Sequence, residues 1–242
     1  MANSSASAPS LRILPWLMLG IGILIGFSGL IDQMITYWED IVYLTKQHVV
    51  LVLASGLAAI AVGVPVGIWL SRPSMAGVAE TLMQVFNIGT TIPTLAVIAL
   101  SMTLLGIGFT PAFFGLFVAS LLPIVRNTYA GLLAVPGHLK EAAHGMGMRP
   151  MQILFKVELP NALFVIFSGI RTALAINVGT TPLAFLIGGG GLGELIFTGI
   201  DLMDTGMLLA GAIPTAALAV LVDFLIGQAQ LWLIPKGVNP LR

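Results

Sequence analysis

The sequence lacks cysteine altogether and contains very little charge. Without cysteine, the 242-residue chain has no disulfide, no thiolate metal site and no cysteine nucleophile. Ten basic and ten acidic residues make up 8% of the chain, against about 25% in a typical soluble domain. Hydrophobic residues make up 57%, which excludes disorder. So few charges would not cover a soluble fold, and we infer that lipid surrounds most of the chain.

Other absences narrow the function. The formal net charge is zero, which gives no indication of nucleic-acid binding. The three histidines, His48, His138 and His144, are scattered, so we predict no metal site and see no cluster that a membrane enzyme would need. No Walker sequence is present, so we expect no ATP hydrolysis by this chain. The glycine run 188–193 lacks a following Lys-Ser/Thr, and we interpret it as a flexible turn outside the membrane.

Six apolar runs are long enough to cross a bilayer, which needs about 20 residues each. They predict an all-α, polytopic membrane protein with about six spans, at 13–31, 49–70, 82–105, 111–134, 162–187 and 207–234. Residues 1–12 are then a disordered leader, 13–234 the transmembrane domain and 235–242 a tail. A cleaved signal peptide is the alternative for the first run. We favour a retained helix because no positive cluster precedes this long run and no A-x-A site follows it.

The distribution of lysine and arginine predicts the orientation. With the N-terminus inside, eight basic residues lie at or near the inner face and Lys46 alone lies outside. Basic residues concentrate in cytoplasmic loops, so both termini and the loop 136–160 are predicted to be cytoplasmic.

Two polar clusters lie inside the third and fifth runs, each next to a proline. They mix hydroxyls and amides with residues that loosen a helix, which suits a hydrated cavity at mid-membrane. Interhelical hydrogen bonding is the alternative. The candidate translocation-pathway residues in these clusters are Asn87, Thr90, Thr91, Pro93, Asn177, Thr180 and Thr181.

Two ionisable residues lie at similar depth inside the membrane. Arg171 lies 11 residues after Pro160, and Asp223 lies 11 residues before Ile234, a rise of roughly 16 Å in each helix. Charges inside a bilayer are costly and usually functional. Equal depth allows a structural ion pair, within one chain or across a dimer. A direct contact between Arg171 and a substrate in the pathway is the alternative.

The inner loop, residues 136–160, carries the most specific pattern. It predicts two short amphipathic helices, the first opened by Pro136 and stopped by Gly147 in a left-handed cap, the second opened by Pro150 and ended by Pro160. The expected apolar stripes are Leu139, Ala142, Ala143 and Met146, then Met151, Leu154, Phe155 and Leu159. Such stripes must be buried against something, and lipid headgroups are one candidate.

This loop resembles the EAA signature of ABC-importer permeases: Glu-Ala-Ala, three residues, Gly, nine residues, an aliphatic residue, one residue, and Leu-Pro. The matching positions are Glu141, Ala142, Ala143, Gly147, Val157, Leu159 and Pro160. Val157 stands where isoleucine is more usual. The stretches 169–172, 177–180, 188–193 and 209–214 resemble the osmoprotectant-importing branch, and the likeness covers about residues 45–235.

The resemblance implies a type I ABC-importer permease fold, in the plasma membrane of a prokaryote or the inner membrane of a Gram-negative one. Residues Glu141 to Gly147 would dock on a cytoplasmic ABC ATPase dimer, and ATP and Mg would be held there, with no cofactor bound by this chain. A second permease chain, identical or paralogous, and an extracytoplasmic solute-binding protein would complete the transporter. The expected cargo is an osmoprotectant such as glycine betaine, choline or a related quaternary amine.

Other functions remain as alternatives. Permeases for methionine and for sulfonates share this loop, so another small solute, such as an amino acid or a sulfonate, is possible cargo. An ion-coupled secondary transporter would need embedded carboxylates, and only Asp223 is available. A structural membrane subunit would leave the polar clusters unexplained.

Overall fold

The computed structural model describes residues 29–235 and 237–238, and within them the chain is all helical. The predicted leader, almost all of the first apolar run and most of the predicted tail lie outside these residues. The predicted position of both termini is therefore not addressed by the fold.

The described helices follow one another with short connections. In chain order they are α1 (Leu30–Thr36), α2 (Trp38–Leu70), α3 (Ala76–Gly89), α4 (Thr94–Leu105), α5 (Phe109–Leu133), α6 (Gly137–Gly145), α7 (Pro150–Ile153), α8 (Leu159–Thr180), α9 (Gly193–Asp201) and α10 (Thr205–Leu233). Short 3-10 helices lie at Pro73–Met75 and Thr181–Ile187, and a π turn at Leu154–Glu158 joins α7 to α8.

Four of these helical stretches are long and apolar enough to cross a membrane: α2, α5, the continuous stretch Pro150–Ile187, and α10. The bent pair of α3 and α4 supplies a fifth if it counts as one span. Prolines 65, 123 and 214 lie inside continuous helices, whereas Pro93 and Pro182 coincide with a break and with the start of a 3-10 helix. Five of the six predicted runs thus correspond to helical segments in the described residues.

Helix α2 begins at Trp38, eleven residues before the predicted run starts at Val49. Its first turn contains Glu39 and Asp40, and carboxylates in the first turn of a helix stabilise it. Its 33 residues reach about 50 Å at 1.5 Å per residue, more than the roughly 30 Å of hydrocarbon. Hydropathy therefore detected only the apolar part of α2.

The third predicted run, 82–105, is not one straight span. Helix α3 ends at Gly89, α4 begins at Thr94, and their axes differ by 99°. Pro93 has no N–H to donate and disfavours helical backbone at the residue before it. The hydroxyls of Thr90 and Thr91 donate to the carbonyls of Asn87 and Ile88, each at 2.7 Å, and so satisfy the open end of α3. The polar cluster around Pro93, predicted to loosen a helix, therefore coincides with a break between two helices.

Close contact between α2 and α5 organises the bundle. A Cβ atom placed on Gly63 would lie 2.8 Å from the Ile124 Cγ2 atom. A Cβ atom on Gly67 would lie 2.5 Å from the Thr128 Cβ atom and 2.9 Å from the Val125 carbonyl oxygen. Small residues let membrane helices approach one another and gain dispersion contacts. The largest buried cluster, which includes Ile124 and Leu132, packs where α8 joins this pair.

The two ends of the bundle differ. The end that carries the inner loop is called here the loop end, and it includes the last turns of α2 and α5 and the start of α8. The opposite end, the far end, brings the glycine run against α2 and α5. The Gly191 N–H donates to the Gln47 side-chain oxygen at 3.0 Å, and the Gly108 N–H donates to the Ile187 carbonyl at 2.8 Å. The glycine run is therefore anchored to α2.

The α2–α5 contact makes a prediction about stability. We expect Gly67→Ala to lower the free energy of unfolding by about 1–3 kcal/mol, because the new methyl group meets a backbone carbonyl that cannot rotate away. Gly77→Ala in α3 is the matched control, since a Cβ atom there meets nothing within 4 Å. Thermal unfolding in detergent measures both variants. Equal midpoints for the two variants would contradict this account of the contact.

Candidate functional site: the inner loop and the polar surfaces of the spans

The inner loop begins with a helix that ends as its spacing predicts. Pro136 directly precedes α6, and Gly147 follows it with φ of 74°, in the left-handed region that favours glycine. The Met148 N–H donates to the Ala143 carbonyl at 3.1 Å, and the Gly147 N–H donates to the His144 carbonyl at 2.9 Å. These bonds satisfy carbonyls that the helix end would leave open. The turn is therefore sharp and defined.

The second half of the loop differs from the prediction of a short helix ended by Pro160. Pro150 does open α7, but the helix continues through the π turn Leu154–Glu158 into α8, with Pro160 inside it. A proline ring clashes with the carbonyl one turn earlier, and the wider π turn relieves that clash. The loop is thus joined to the membrane helix α8 without a break.

The predicted apolar stripes are divided between two surfaces. Of the predicted stripe residues, Ala143 and Leu154 are buried, and Leu139 and Leu159 are half-buried. Met146, Met151 and Phe155 are 68%, 63% and 60% exposed, and Glu141 and Ala142 are exposed with them. The bundle thus covers one part of each predicted stripe and leaves the other part exposed. An apolar ridge of Met146, Met151 and Phe155 stays uncovered.

Glu158 is a residue that sequence reasoning missed. It lies between the signature positions Val157 and Leu159, and it is 7% exposed. Its carboxylate accepts from the Arg72 guanidinium at 2.7 Å and faces the Lys140 amine at 3.5 Å. A buried carboxylate needs such partners, because an unpaired buried charge is strongly destabilising. The signal in the sequence was an acid flanked by apolar residues on the helix that enters the membrane.

The pathway candidates of the fifth run form a buried polar cluster. Asn177 is 1% exposed, and its side-chain amide donates to the Ser55 and Ser120 hydroxyls at 2.9 and 2.8 Å. The Thr181 hydroxyl donates to the Asn177 carbonyl at 2.8 Å. These bonds join α2, α5 and α8, which fits the interhelical alternative for Asn177 and Thr181. A pathway role for either residue stays a prediction.

An exposed face of α8 was not singled out from the sequence. Ser168, Thr172, Ile176 and Gly179 are exposed at helical spacing, and Thr180 is half-buried beside them. At the other cluster, Asn87, Thr90, Thr91 and Pro93 are all exposed at the α3–α4 break. Hydroxyls and amides that point away from a membrane bundle need water or another protein as their neighbour. Both surfaces are therefore candidates for lining a pathway or a subunit interface.

Arg171 and Asp223 are in contact, as their depth suggested. The guanidinium donates through two nitrogens to the two carboxylate oxygens, which is the bidentate geometry that favours arginine–carboxylate pairs. Their side chains are 40% and 41% exposed and line a groove between α8 and α10. A half-exposed ion pair at membrane depth would be costly against lipid. We infer that this groove faces protein or water in the assembled molecule.

The far end holds a hydrogen bond between two helix boundaries. The Tyr37 hydroxyl donates to Asp204 at 2.6 Å, and the other Asp204 oxygen accepts from the Met207 N–H at 2.9 Å, which caps α10. The Tyr37 bond, with the Met207 bond second, holds the pKa of Asp204 below its ordinary value. The same bond raises the pKa of Tyr37. Among the described residues, no group of three or more His, Asp or Glu could hold a metal.

The Tyr37–Asp204 bond makes a pH-dependent prediction. Because the Asp204 pKa is lowered on folding, its contribution is present above the unfolded value of about 3.9 and is lost as the pH falls through the folded pKa. Because the Tyr37 pKa is raised, its contribution is present below about pH 10 and is lost above the folded pKa. We expect Tyr37→Phe to unfold at lower temperature than the original chain across the window between, and the two to converge in acid and in alkali.

Thermal unfolding measured from acid to alkaline pH checks this expectation. Tyr43→Phe is the control, because Tyr43 is 62% exposed on the same side of the molecule and should behave like the original chain. A constant difference between Tyr37→Phe and the original chain at every pH would contradict the assignment.

Comparisons with known proteins point to the same family as the signature in the inner loop. Residues 63–236 match the family described as binding-protein-dependent transport system inner membrane component. The osmoprotectant import permease protein OsmY of Salmonella typhimurium is 58% identical over 199 residues, covering 82% of this chain and 84% of that protein. The choline transport system permease protein OpuBB of Bacillus subtilis is 39% identical, covering 84% and 93%.

A solved structure shares the fold. A chain of the MetNI methionine ABC transporter, in an inward-facing conformation, superposes with a TM-score of 0.71 at 25% identity. The match covers 82% of this chain and 96% of that one. The fold expected from the inner loop is therefore confirmed over most of the chain.

Proposed function

The chain belongs to the family of binding-protein-dependent transport system inner membrane components, and from this premise we propose that it carries osmoprotectants such as glycine betaine, choline or a related quaternary amine. It is a multi-pass permease subunit of an ABC importer. The observation that carries the choice of cargo is the 58% identity to OsmY over four-fifths of the chain. Relatives named for choline and carnitine support the same chemical class.

The partners of this subunit follow from the family. The family description makes transport dependent on a binding protein, which would deliver solute at the far end, facing away from the cytosol. A pair of ABC ATPases would sit at the loop end in the cytosol and hold ATP and Mg. A second permease chain, identical or paralogous, would complete the pathway in a prokaryotic plasma membrane or Gram-negative inner membrane. This chain would supply no nucleotide chemistry of its own.

The inner loop supports the docking role. The ridge of Met146, Met151 and Phe155 is exposed and apolar, and Glu141 and Ala142 lie beside it. An exposed apolar patch with a polar edge is typical of a protein interface. Closure of the two ATPases on ATP would displace this loop, and the continuous helix from α7 through α8 would carry the displacement into the membrane.

The polar surfaces support the pathway role. Ser168 and Thr172 on α8, and Thr90 and Thr91 at the α3–α4 break, give an uncharged polar lining. A small cation or zwitterion needs such groups for hydration, while a strong opposite charge would retain it. The Arg171–Asp223 pair is neutral as a unit, so it adds no net charge to a nearby pathway.

Uptake by the complete transporter tests the cargo. The permease, its ATPase and its binding protein are reconstituted in vesicles, and ATP-dependent entry of labelled glycine betaine, choline, carnitine and methionine is measured. We expect entry of at least one quaternary amine and none of methionine. Uptake of methionine alone would contradict this cargo and favour the alternative that the chain imports an amino acid. Uptake driven by an ion gradient without the ATPase would overturn the importer assignment.

A substitution in the loop tests docking. We expect Gly147→Val to abolish most ATP-dependent uptake, because a β-branched residue is strained at φ of 74° and the turn would change its direction. The chain should still insert, and its co-purification with the ATPase should fall about tenfold or more, since lost interface geometry typically costs more than 1.4 kcal/mol. Gly137→Ala is the matched control, because Gly137 is in the same helix with open space around its Cβ position and lies outside the docking segment Glu141–Gly147. Unchanged co-purification for Gly147→Val would contradict the docking role.

A further inference from the structure

The connection between the inner loop and α2 is electrostatic where apolar packing is sparse. Helix α6 has one buried residue, Ala143. A cavity of about 470 Å³ separates the loop from the end of α2, and its lining includes Leu70, Pro73, Tyr129 and His144. Arg72, Lys140 and Glu158 line the same cavity, and their ion pairs span it. Ion pairs between charged side chains therefore connect the inner loop to the end of α2, where few apolar side chains pack together.

Each member of this cluster is tied to a different helix. The Arg72 Nε atom donates to the Ile68 carbonyl at 3.1 Å, and its Nη2 atom donates to the Ser71 hydroxyl at 2.8 Å, which fixes the guanidinium on the end of α2. The Lys140 amine donates to the Leu132 carbonyl of α5 at 3.4 Å. Glu158 belongs to the π turn that leads into α8. One carboxylate thus gathers α2, α5, α6 and α8.

Glu158 stands apart from the other acids of the molecule. In the described part of the chain it is the one carboxylate that is buried. The low-dielectric surroundings strengthen its attraction to Arg72 and make separation from Arg72 costly. A pair of this kind keeps two elements together while they move, because parting leaves an unpaired charge. The cluster therefore has the properties needed to pass a movement of the inner loop on to α2.

We propose that Glu158 is a positioning residue that makes α2 move together with the inner loop. Displacement of the loop reaches α8 through the continuous helix, and it reaches α2 through the carboxylate–guanidinium pair. Since α2 is locked to α5 at Gly67, the same pull moves α5. Without the pair, displacement of the loop would no longer reach α2 through Arg72. This inference rests on the proposed importer function.

Because the sequence contains no cysteine, the distance between the inner loop and the end of α2 can be measured with labels on introduced cysteines. Ser74 lies two residues after Arg72, and His138 lies in α6. Both side chains are exposed. Cysteines at these two positions carry spin labels in a chain diluted into unlabelled chain, assembled with its ATPase. The distance between the labels is measured without nucleotide and after trapping with ATP and vanadate. For the original sequence we expect one narrow distance that is the same in both states.

Glu158→Gln is the test variant and Glu80→Gln is its control, since Glu80 is exposed on α3 at the same end. We expect Glu158→Gln to broaden or shift the distance on trapping, and to lower solute moved per ATP hydrolysed about tenfold, within the usual range of coupling free energies. Glu80→Gln should change neither. A merely structural role would leave the trapped and nucleotide-free distances equal in Glu158→Gln.

Two results would overturn the proposal: an unchanged trapped distance in Glu158→Gln, or uptake per ATP equal to that of the original chain. If Glu158→Gln does not assemble, Arg72→Gln is measured instead, because it removes the charge that joins α2 to Glu158 and leaves Lys140 facing that carboxylate. If the distance between the two labels stays narrow after trapping in that variant, the proposal is overturned as well. Failure of the proposed cargo is seen separately, in the original chain, because the distance measurement needs no solute.

Discussion

Contact between helices at distances that only glycine permits is the constraint on which this fold depends. Lipid tails are as apolar as the helix surfaces, so the hydrophobic effect does not drive helices together in a membrane. Association of the helices depends on dispersion contacts and on hydrogen bonds. Gly63 and Gly67 bring α2 against α5, and the Asn177 amide binds Ser55 and Ser120 across the same three helices. The result is a tightly joined unit of α2, α5 and α8. Other elements, including α10 and the α3–α4 pair, attach to its sides.

In the described residues, the side-chain contacts of charged groups with partners on other helices lie at the margins of this unit. Glu158 with Arg72 and Lys140 lies at the loop end, Tyr37 with Asp204 lies at the far end, and Arg171 with Asp223 lies on a groove at its flank. Apolar and neutral polar groups thus provide cohesion, while charged groups connect the unit to the parts that must shift or meet a partner. This division suits the permease subunit of a binding-protein-dependent transport system, whose ends must meet other proteins.

Local rules predicted much of this molecule. Composition and run length identified five helical regions in the described residues, because the cost of exposing backbone to lipid leaves few alternatives to a helix. The signature spacing located the turn at Gly147, where φ is positive, and equal helical depth suggested the contact of Arg171 with Asp223. Each of these depends on residues close in sequence or on one geometric rule.

The features that were missed depend on distant residues. The partner of Glu158 is 86 positions away, so no local pattern reveals that the acid is buried. Pro93 indicated a break, but the 99° change of direction depends on what packs against each half. The division of the loop stripes follows from how much of α6 the bundle covers. Tertiary contacts decide all three.

The length of α2 has a consequence for how far a small movement travels. The arm of α2 from Gly63 to Trp38 is about 38 Å long, so a swing of about 10° about the glycine contacts displaces its tip by roughly 7 Å. Arg72 stands at one tip and Trp38 at the other. An ångström-scale pull on the guanidinium, with α2 pivoting near its glycine contacts, is therefore magnified at the opposite membrane face. Helix α2 is thus a lever with its short arm at the loop end and its long arm at the far end.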